Sequence, residues 1–306
     1  MMNSLVEPEL PRGIVRQARR PAGFQAPGPS PAGPGDREDL WPQPGEDLCY
    51  LSGNWRIFQR LEGHRWSVDD LVTAWVALEC AQRLPPIRYA LDLGCGIGSV
   101  LMMVAWGLPS ACCVGIEAQG VSVGLARRSL AYNGIEERVA IRWGDLRDPQ
   151  QLPEAGSFDL VTGTPPYFAL EQGVISQKRQ CGPCRFEFRG GIEAYCEAAA
   201  RALAPQGRFV VCEDADQEAR VELAATRAGL HLRGRLTVVP KEGRPPLFSV
   251  FTLAHAHAQT LAHEQADIPK RLTVRDLHGQ WTSTFLMLRQ RMGMPGNPTS
   301  TPLTTL

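Results

Sequence analysis

The stretch Leu91-Asp92-Leu93-Gly94-Cys95-Gly96-Ile97-Gly98 is the most informative part of the sequence. An apolar run leads into three glycines at alternate positions, and a helical pattern follows from Val100. Each glycine allows a positive φ or a close approach between the backbone and a ligand. The loop reads Gly-x-Gly-x-Gly after an acid, whereas the dinucleotide fingerprint of nicotinamide dehydrogenases is Gly-x-Gly-x-x-Gly. The stretch therefore indicates a nucleotide-like ligand and argues against a dehydrogenase.

Strand-like and helix-like patterns alternate from Ile87 to Leu253, around this loop. The alternation predicts an α/β fold with a doubly wound, mostly parallel sheet of seven strands. The last two strands, over 236–239 and 248–253, form a hairpin that makes the last strand antiparallel. We expect the other strands at 89–93, 111–116, 139–143, 158–162 and 207–212, and helices at 68–82, 100–106, 121–133, 192–203 and 217–229.

The two ends of the chain differ from this central part. Residues 1–45 contain nine prolines and six glycines. Such a segment buries too little apolar surface to offset the entropy of ordering it, so we expect it to be disordered. The folded domain is expected over 46–253 and a linker over 254–269. A short strand and a helix are expected over 270–295, followed by a disordered tail over 296–306.

The composition narrows the class of protein. The chain has 306 residues, of which 43% are hydrophobic and 21% are charged, so most of it can build a core. No apolar run reaches the roughly 18–20 residues that a membrane helix needs, which argues against an integral membrane protein. Nine cysteines, an odd number, and the lack of an apolar leader favour a reducing, cytoplasmic location. Targeting to an organelle stays an alternative because the N-terminal segment contains four arginines, which are typical of transit peptides: Arg12, Arg16, Arg19 and Arg20.

The charges cancel overall but are unevenly distributed. The 32 basic residues balance 32 acidic ones, which excludes a uniformly basic nucleic-acid coat. Residues 175–208 carry six bases and three acids, and residues 270–291 carry five bases and one acid. These two segments can supply contacts to phosphate groups, although scattered solvated charges explain them equally well.

Two of the predicted strands end in an acidic residue. Glu117 follows the second strand, 19 residues after Gly98. This spacing matches that of an acid that accepts hydrogen bonds from ribose hydroxyls. Asp145 follows the third strand. Because the carboxyl ends of parallel strands meet at one edge of the sheet, we expect both acids beside the glycine loop.

A proline-rich motif, Thr164-Pro165-Pro166-Tyr167, follows the fourth strand. Together with the glycine loop it resembles the class I S-adenosylmethionine-dependent methyltransferases, whose amine-modifying members carry Asn/Asp-Pro-Pro-Tyr/Phe here. In that family the first side chain and the carbonyl of the first proline hold the hydrogens of an exocyclic amine, and the aromatic ring stacks on the flipped base. Thr164 departs from the family because its hydroxyl is shorter and differently directed.

The resemblance implies a Rossmann-like fold, S-adenosylmethionine as the cofactor, and no metal. It assigns the motif 164–167 to catalysis. In the family the acid equivalent to Asp92 lies beside the methionine part of the cofactor, the acid equivalent to Glu117 binds the ribose, and that equivalent to Asp145 contacts the adenine amino group. The cofactor-binding residues that the resemblance implies are Asp69, Asp92, Gly94, Cys95, Gly96, Gly98, Glu117, Ala118, Asp145, Leu146 and Thr164.

A second stretch, Gly63-His64-Arg65-Trp66-Ser67-Val68-Asp69, narrows the resemblance. With Gln59 ahead of it, this stretch resembles the Gln-x-x-x-Gly-x-Arg-Phe-Ser-x-Asp segment of bacterial tRNA1(Val) adenine-N6-methyltransferases. Trp66 stands where that family has Phe, and Asp69 matches the family acid that lies over the cofactor. The resemblance covers about residues 50–253. It implies methylation of adenine N6 in tRNA or another RNA, with that RNA as the partner.

Other interpretations stay open on the sequence alone. Alternative acceptors are a glutamine amide of a protein, a guanine amine or a small molecule, which Thr164 and the zero net charge favour. A non-catalytic binding subunit with the same fold is a further alternative, against which the complete glycine loop argues. Cys181-Gly182-Pro183-Cys184 has the spacing of a redox or zinc site but lacks the setting for either, which favours an incidental or regulatory thiol pair. The sequence does not predict the oligomeric state.

Overall fold

An eight-stranded sheet forms the centre of the protein in the computed structural model, which describes residues 23–152, 155–167, 190–259 and 268–296. The strands in these ranges are β1 (Glu46–Tyr50), β2 (Arg56–Arg60), β3 (Tyr89–Leu93), β4 (Cys112–Glu117), β5 (Val139–Trp143), β6 (Phe158–Gly163), β7 (Leu203–Asp214), β8 (Leu230–Lys241), β9 (Phe248–His255) and β10 (Arg271–Arg275). The helices are α1 (Val68–Ala81), α2 (Ser99–Gly107), α3 (Gly120–Asn133), α4 (Ile192–Ala202), α5 (Glu218–Arg227) and α6 (Ser283–Arg291).

The strand order of the large sheet is β10-β8-β9-β7-β6-β3-β4-β5, and β1 and β2 form a separate two-stranded sheet. β9 runs antiparallel to both of its neighbours, and every other pair in the large sheet is parallel. β4 follows β3 on one side, whereas β6 lies on the other side, so the strand order reverses at β3. Open α/β sheets bind ligands at such a switch point, outside the carboxyl ends of the strands. The predicted doubly wound sheet with one antiparallel strand is confirmed.

The number of strands is eight rather than the predicted seven. The additional strand is β10, which the sequence places in a C-terminal extension and which pairs in parallel with β8, Leu272 beside Val238. This pairing satisfies backbone groups that would otherwise stay open at the edge of β8. Leu272 is buried, and Phe285 of α6 packs in the same core cluster. The extension is therefore part of the sheet and of its core.

Helices cover both faces of the sheet, as a doubly wound fold requires. One core cluster contains buried side chains of α1, α2, α3 and α6, such as Val76 and Met103. The other contains those of α4 and α5, such as Tyr195 and Val221. Within the described ranges, no helix is both long enough and apolar enough to cross a membrane.

The helix boundaries agree with the predicted ones to within a few residues, whereas the strands differ more. β7 extends over Leu203–Asp214 instead of the predicted 207–212. β8 extends over 12 residues instead of the predicted 236–239, and its register shifts between Leu232 and Gly234. Such an irregularity interrupts the alternation by which a strand is recognised. β1 was not predicted because its first two residues, Glu46 and Asp47, are acidic. In the structure each of these carboxylates forms an ion pair with an arginine.

Residues 23–45 pack against the domain, so the predicted disorder over 1–45 is wrong for this part. The Leu40 side chain is buried, and Arg128 of α3 donates to the backbone oxygen of Asp39 at 2.7 Å. This proline- and glycine-rich segment is ordered without a core of its own because α3 provides its hydrogen-bond partners. The other predicted tails and the centre of the predicted linker, 1–22, 260–267 and 297–306, lie outside the described residues.

The two ends of the described chain meet at Trp106, near the end of α2. A Cβ atom on Gly28, Gly53 or Gly293 would lie 2.6, 2.8 or 2.7 Å from the nearest atom of its indole ring. These glycines belong to the N-terminal segment, the β1–β2 turn and the C-terminal extension. Three distant parts of the chain therefore pack on one side chain, and each does so at a residue that has no side chain of its own.

Phe285→Ala tests whether the C-terminal extension belongs to the core. Phe285 is 2% exposed, and we expect the substitution to lower the free energy of unfolding by about 3–5 kcal/mol through the cavity that it leaves. Urea unfolding followed by circular dichroism measures this. Met287→Ala on the same helix is the matched control, because Met287 is 49% exposed and its loss should change stability by less than about 0.5 kcal/mol. Equal stability of the two variants would show that the extension folds separately.

Candidate active site

A cavity of ≈ 620 Å³ lies at the carboxyl ends of β3, β4, β5 and β6, beside the switch point of the sheet. Its walls come from the glycine loop, the ends of the neighbouring strands and the segment ahead of α1. Two predicted residues, Asp92 and Gly98, do not line it and lie behind the loop. The predicted site residues that do line it are Asp69, Gly94, Cys95, Gly96, Glu117, Ala118, Asp145, Leu146, Thr164, Pro165, Pro166 and Tyr167.

The glycine loop turns sharply from β3 into α2. Gly98 adopts φ 86° in the left-handed region at the start of α2. A Cβ atom on Gly94 would lie 2.1 Å from the hydroxyl of Tyr195, so the closeness of this tyrosine requires glycine. The amide of Cys95 donates to the Ile116 oxygen at 3.0 Å, which fixes the loop against β4. The loop is therefore held by its own turn and by two neighbouring elements.

Glu117 lies at the end of β4 and faces the glycine loop. Its carboxylate accepts hydrogen bonds from the amide of Gly96 at 3.0 Å and from the amide of Gln119 at 2.6 Å. The side chain is nearly buried and still lines the cavity. Since each carboxylate oxygen can accept more than one hydrogen bond, the position fits the predicted contact with two hydroxyl groups.

Asp145 lies on the cavity wall after β5, as predicted, but it also has a partner in the protein. Its carboxylate forms a two-pronged ion pair with Arg147, with distances of 3.0 Å to Nε and 2.7 Å to a terminal nitrogen. The pair is partly exposed, so its contribution to stability is small. The neighbouring Leu146 is buried and adds an apolar surface to the same wall.

Asp92 connects three elements behind the loop. Its carboxylate accepts hydrogen bonds from the Thr162 hydroxyl of β6 at 2.8 Å and from the Leu101 amide of α2 at 3.1 Å. The residue is 2% exposed, and this burial raises the pKa of its carboxyl group to about 7. The structure thus places Asp92 where it joins β3, β6 and α2, rather than on the cavity wall.

The motif after β6 reaches the opposite wall of the cavity. The hydroxyl of Tyr167 donates to the Asp69 carboxylate of α1 at 3.0 Å and lies 2.8 Å from the Cys212 sulfur of β7. Because the single proton of the tyrosine is donated to Asp69, the thiol is the donor in the second contact. Burial raises the pKa values of Tyr167 and Cys212 well above their usual ranges, so both groups are neutral at pH 7.

The stretch ahead of α1 forms a further wall of the cavity. Arg65 pairs with the buried Asp47 of β1 at 2.6 Å, and Gln59 of β2 accepts from the amide of Trp66 at 3.3 Å. Asp70 is buried and accepts from the Ser67 amide, which caps α1. The residues that carried the resemblance therefore connect the two-stranded sheet to the cavity. The residues of this stretch that line the cavity are Gly63, His64, Arg65, Ser67, Asp69 and Asp70.

Sequence reasoning missed Tyr195 and Cys212. Tyr195 of α4 lines the cavity, and a Cβ atom on Gly163 would lie 2.8 Å from its ring. The helical spacing of its apolar neighbours marks Tyr195 only as a buried residue, and Cys212 reads only as part of an apolar strand. No local signal distinguishes either residue from the rest of the core. The Cys181–Cys184 pair lies outside the described residues.

The raised pKa of Asp92 predicts a pH dependence of stability. The unfolded chain loses this proton near pH 3.8, whereas the folded state holds it up to about pH 7, so folding takes up a proton between these values. The stability of the wild type should therefore fall as the pH rises through this window, with a slope of up to about 1.4 kcal/mol per pH unit from this group.

Asp92→Asn should make that fall shallower, which urea unfolding at pH 4, 5.5, 7 and 8.5 measures. An amide keeps the shape of the side chain and cannot titrate. Asp36→Asn, which alters an exposed carboxyl group, is the control and should keep the slope of the wild type. The same slope in Asp92→Asn and wild type would contradict the prediction.

Comparison with known proteins agrees with the geometry. Residues 76–178 match the family model of the methyltransferase small domain. A tRNA1(Val) (adenine(37)-N6)-methyltransferase of Porphyromonas gingivalis W83 is 30% identical over 171 residues, which cover 55% of this chain and 65% of the relative. The matched region thus spans less than two thirds of that relative. The enzyme of the same name from Shewanella amazonensis is 27% identical over 71% of this chain and 86% of the relative.

One solved structure supports the fold. The crystal structure of a predicted O-methyltransferase from Agrobacterium tumefaciens superposes with a TM-score of 0.51 at 16% identity, and the match covers 72% of this chain and 97% of that chain. At this identity the likeness concerns the fold alone. The chain therefore shares the fold of that methyltransferase, matches the methyltransferase small domain over residues 76–178, and resembles the bacterial tRNA1(Val) adenine-N6-methyltransferases in sequence.

Proposed function

We propose that this chain transfers a methyl group from S-adenosylmethionine to N6 of an adenine in tRNA. The observation that carries the proposal is the shared cavity, in which the glycine loop at Gly94 and the motif that begins at Thr164 face the same space. β3 and β6 are neighbours, with Leu93 beside Gly163, so the two loops leave the sheet side by side. A methyl donor on one loop and an acceptor on the other would lie within reach of each other.

The cavity residues fit the proposed cofactor. A Cβ atom on Gly96 would meet no other group within 4 Å, so the loop presents bare backbone to the cavity. Glu117 offers a carboxylate for the ribose, and Leu146 offers an apolar surface for the adenine. S-adenosylmethionine supplies an electrophilic methyl group on a sulfonium centre. The residues that would hold it are Asp69, Gly94, Cys95, Gly96, Glu117, Ala118, Asp145 and Leu146, with Asp92 and Gly98 shaping the loop from behind.

The acceptor side of the cavity suits an exocyclic amine. The adenine amine is a weak nucleophile because its lone pair is delocalised into the ring. The Thr164 hydroxyl and the Pro165 carbonyl would each accept one amine hydrogen, which turns the lone pair toward the methyl group. The nitrogen would then bond to the methyl carbon as the carbon–sulfur bond breaks, and one amine proton would pass to solvent. Pro165 and Pro166 restrict the backbone, so little reorganisation accompanies the reaction.

The relatives favour tRNA as the source of the adenine. The relatives from Porphyromonas and Shewanella are named for methylation of adenine 37 in tRNA1(Val). In the part of the chain that the structure describes, seven cysteines are free thiols, which fits a reducing compartment and supports the proposed cytoplasmic location. We assign the reaction to the domain over 46–253.

Thr164 favours a second candidate, an amide or amine acceptor other than adenine. A threonine hydroxyl ends closer to the backbone than the side chain of Asn or Asp, so it would hold a differently placed nitrogen equally well. The candidates are the glutamine amide of a protein, a guanine amine and a small molecule.

Incubation with labelled S-adenosylmethionine and tRNA from cells that lack this gene tests the function. Mass spectrometry of the nucleosides should find N6-methyladenosine in the tRNA. Thr164→Val is the matched control, since it keeps the shape of the side chain without an acceptor. We expect about a hundredfold lower turnover with nearly unchanged affinity for S-adenosylhomocysteine. Label in protein or in guanosine would instead support the second candidate, and absence of label from every acceptor would overturn methyl transfer.

The contacts of Tyr167 predict that Cys212 positions the catalytic motif. Cys212→Ala removes the donor to the tyrosine oxygen, and we expect about a threefold to tenfold lower kcat with little change in cofactor affinity. Cys212→Ser keeps a donor and should recover most of the loss. Steady-state methylation assays measure both variants.

Cys196→Ala is the control for this prediction. Cys196 is as fully buried as Cys212, but it lies on α4 in the other core cluster, away from Tyr167. The Cys196→Ala variant should lose about as much stability as Cys212→Ala while keeping the kcat of the wild type. If Cys212→Ala and Cys196→Ala had the same kcat, Cys212 would be a packing residue only.

A further inference from the structure

Trp143 is the most exposed of the large hydrophobic side chains that the structure describes. It ends the edge strand β5 and is 69% exposed. A single exposed apolar side chain is common on soluble domains, so exposure alone does not mark a contact site. Trp143 differs because its ring is held in place and stands at the rim of the cavity.

The indole ring of Trp143 is fixed rather than loose. Its N–H donates to the backbone oxygen of Ala118 at 3.1 Å, and its six-membered ring lies 3.4 Å from where a Cβ atom on Gly120 would stand. Gly120 carries no side chain that would cover the ring, and the hydrogen bond holds the ring in place. A rigid, uncovered aromatic ring can stack on another ring at little cost in entropy.

The ring stands at the rim of the cavity. Ala118, which accepts the indole hydrogen bond, also lines the cavity, and so do Gly144 and Asp145 directly after the tryptophan. A polymer whose reacting unit enters the cavity would pass over this rim. The position therefore suits a neighbour of the reacting unit rather than the unit itself.

One arginine beside Trp143 can meet a phosphate group. α3 and β5 together contain three arginines, Arg127, Arg128 and Arg142, and no acidic residue. Arg128 is paired with Glu46, and Arg142, which precedes Trp143 in β5, points to the other face of the sheet. Arg127 is exposed and donates to the Ile141 oxygen at 2.9 Å, which holds it beside the strand that ends in Trp143. A fixed guanidinium group next to an open aromatic ring matches the phosphate and the base of a single strand.

We propose that Trp143 is a stacking platform for an unpaired base of the substrate RNA, with Arg127 as a contact to its phosphates. We call these two residues the Trp143 platform. The inference rests on the proposed function in that the RNA is the methyl acceptor, and it adds a binding surface outside the cavity. Single-stranded loops present the unstacked bases that such a ring can bind, whereas bases in a duplex are already stacked.

Fluorescence anisotropy with labelled, unmodified tRNA tests the platform independently of methylation. We expect Trp143→Ala to weaken tRNA binding about tenfold, which corresponds to about 1.4 kcal/mol. Trp143→Phe keeps a ring and should recover part of the affinity. Arg127→Ala should lower the slope of log Kd against log salt concentration by about one.

Tyr89→Ala is the matched control. Tyr89 is 45% exposed and begins β3, so it lies at the opposite edge of the sheet from the cavity. It should bind tRNA as the wild type does. Binding of S-adenosylhomocysteine, measured by calorimetry, should stay the same in every one of these variants.

Three outcomes would overturn the platform: unchanged tRNA affinity in Trp143→Ala, loss of S-adenosylhomocysteine affinity in that variant, or no tRNA binding by the wild type. These outcomes differ from a failure of the proposed function. A wild type that binds tRNA through Trp143 without methylating it would remove the proposed reaction and keep the platform. Normal methylation by the wild type, together with equal tRNA affinities of the wild type and Trp143→Ala, would remove the platform and keep the proposed reaction.

Discussion

The carboxylate of Asp92 holds together the three elements on which the site depends. It belongs to β3 and accepts one hydrogen bond from β6 and another from α2. A buried carboxylate without such partners would be costly, so the two donors and the acid stabilise one another. Because β3 and β6 flank the switch point of the sheet, this contact determines where the glycine loop and the motif at Thr164 begin.

Tyr167 organises the wall of the cavity opposite the glycine loop. Its hydroxyl joins Asp69 at the start of α1 to Cys212 at the end of β7, so a helix from one face and a strand from the sheet meet at one side chain. Asp69 also belongs to the stretch that connects the cavity to β1 and β2. The aromatic ring therefore has one preferred orientation before any ligand enters, which is the condition for catalysis by positioning.

The sequence was sufficient to predict the sheet, its antiparallel strand and most of the cavity wall, because these depend on short motifs at strand ends. Gly94, Glu117, Asp145 and Thr164 each follow an apolar strand, and parallel strands bring such positions to one edge. The residues that were missed depend on partners far along the chain. Tyr195 reaches Gly94 from α4, and Cys212 reaches Tyr167 from β7.

The same reason explains the errors in the outer parts of the fold. β10, which was predicted as a short strand of a separate extension, joins the main sheet because β8 has an open edge beside it, and residues 23–45 are ordered because α3 offers hydrogen-bond partners. Neither property can be read from the local composition. A proline-rich composition indicates only that a segment cannot build a core by itself. The structure shows that contacts with a neighbouring helix can still order such a segment.

The packing around Trp106 has a consequence for how the protein matures on the ribosome. The indole ring is covered by glycines from the beginning, the early part and the end of the described chain, and the last of them, Gly293, is synthesised long after the other two. The indole ring therefore stays partly uncovered in the nascent chain until Gly293 has been synthesised. Closure of the surface around Trp106 is thus a late event in the folding of this domain.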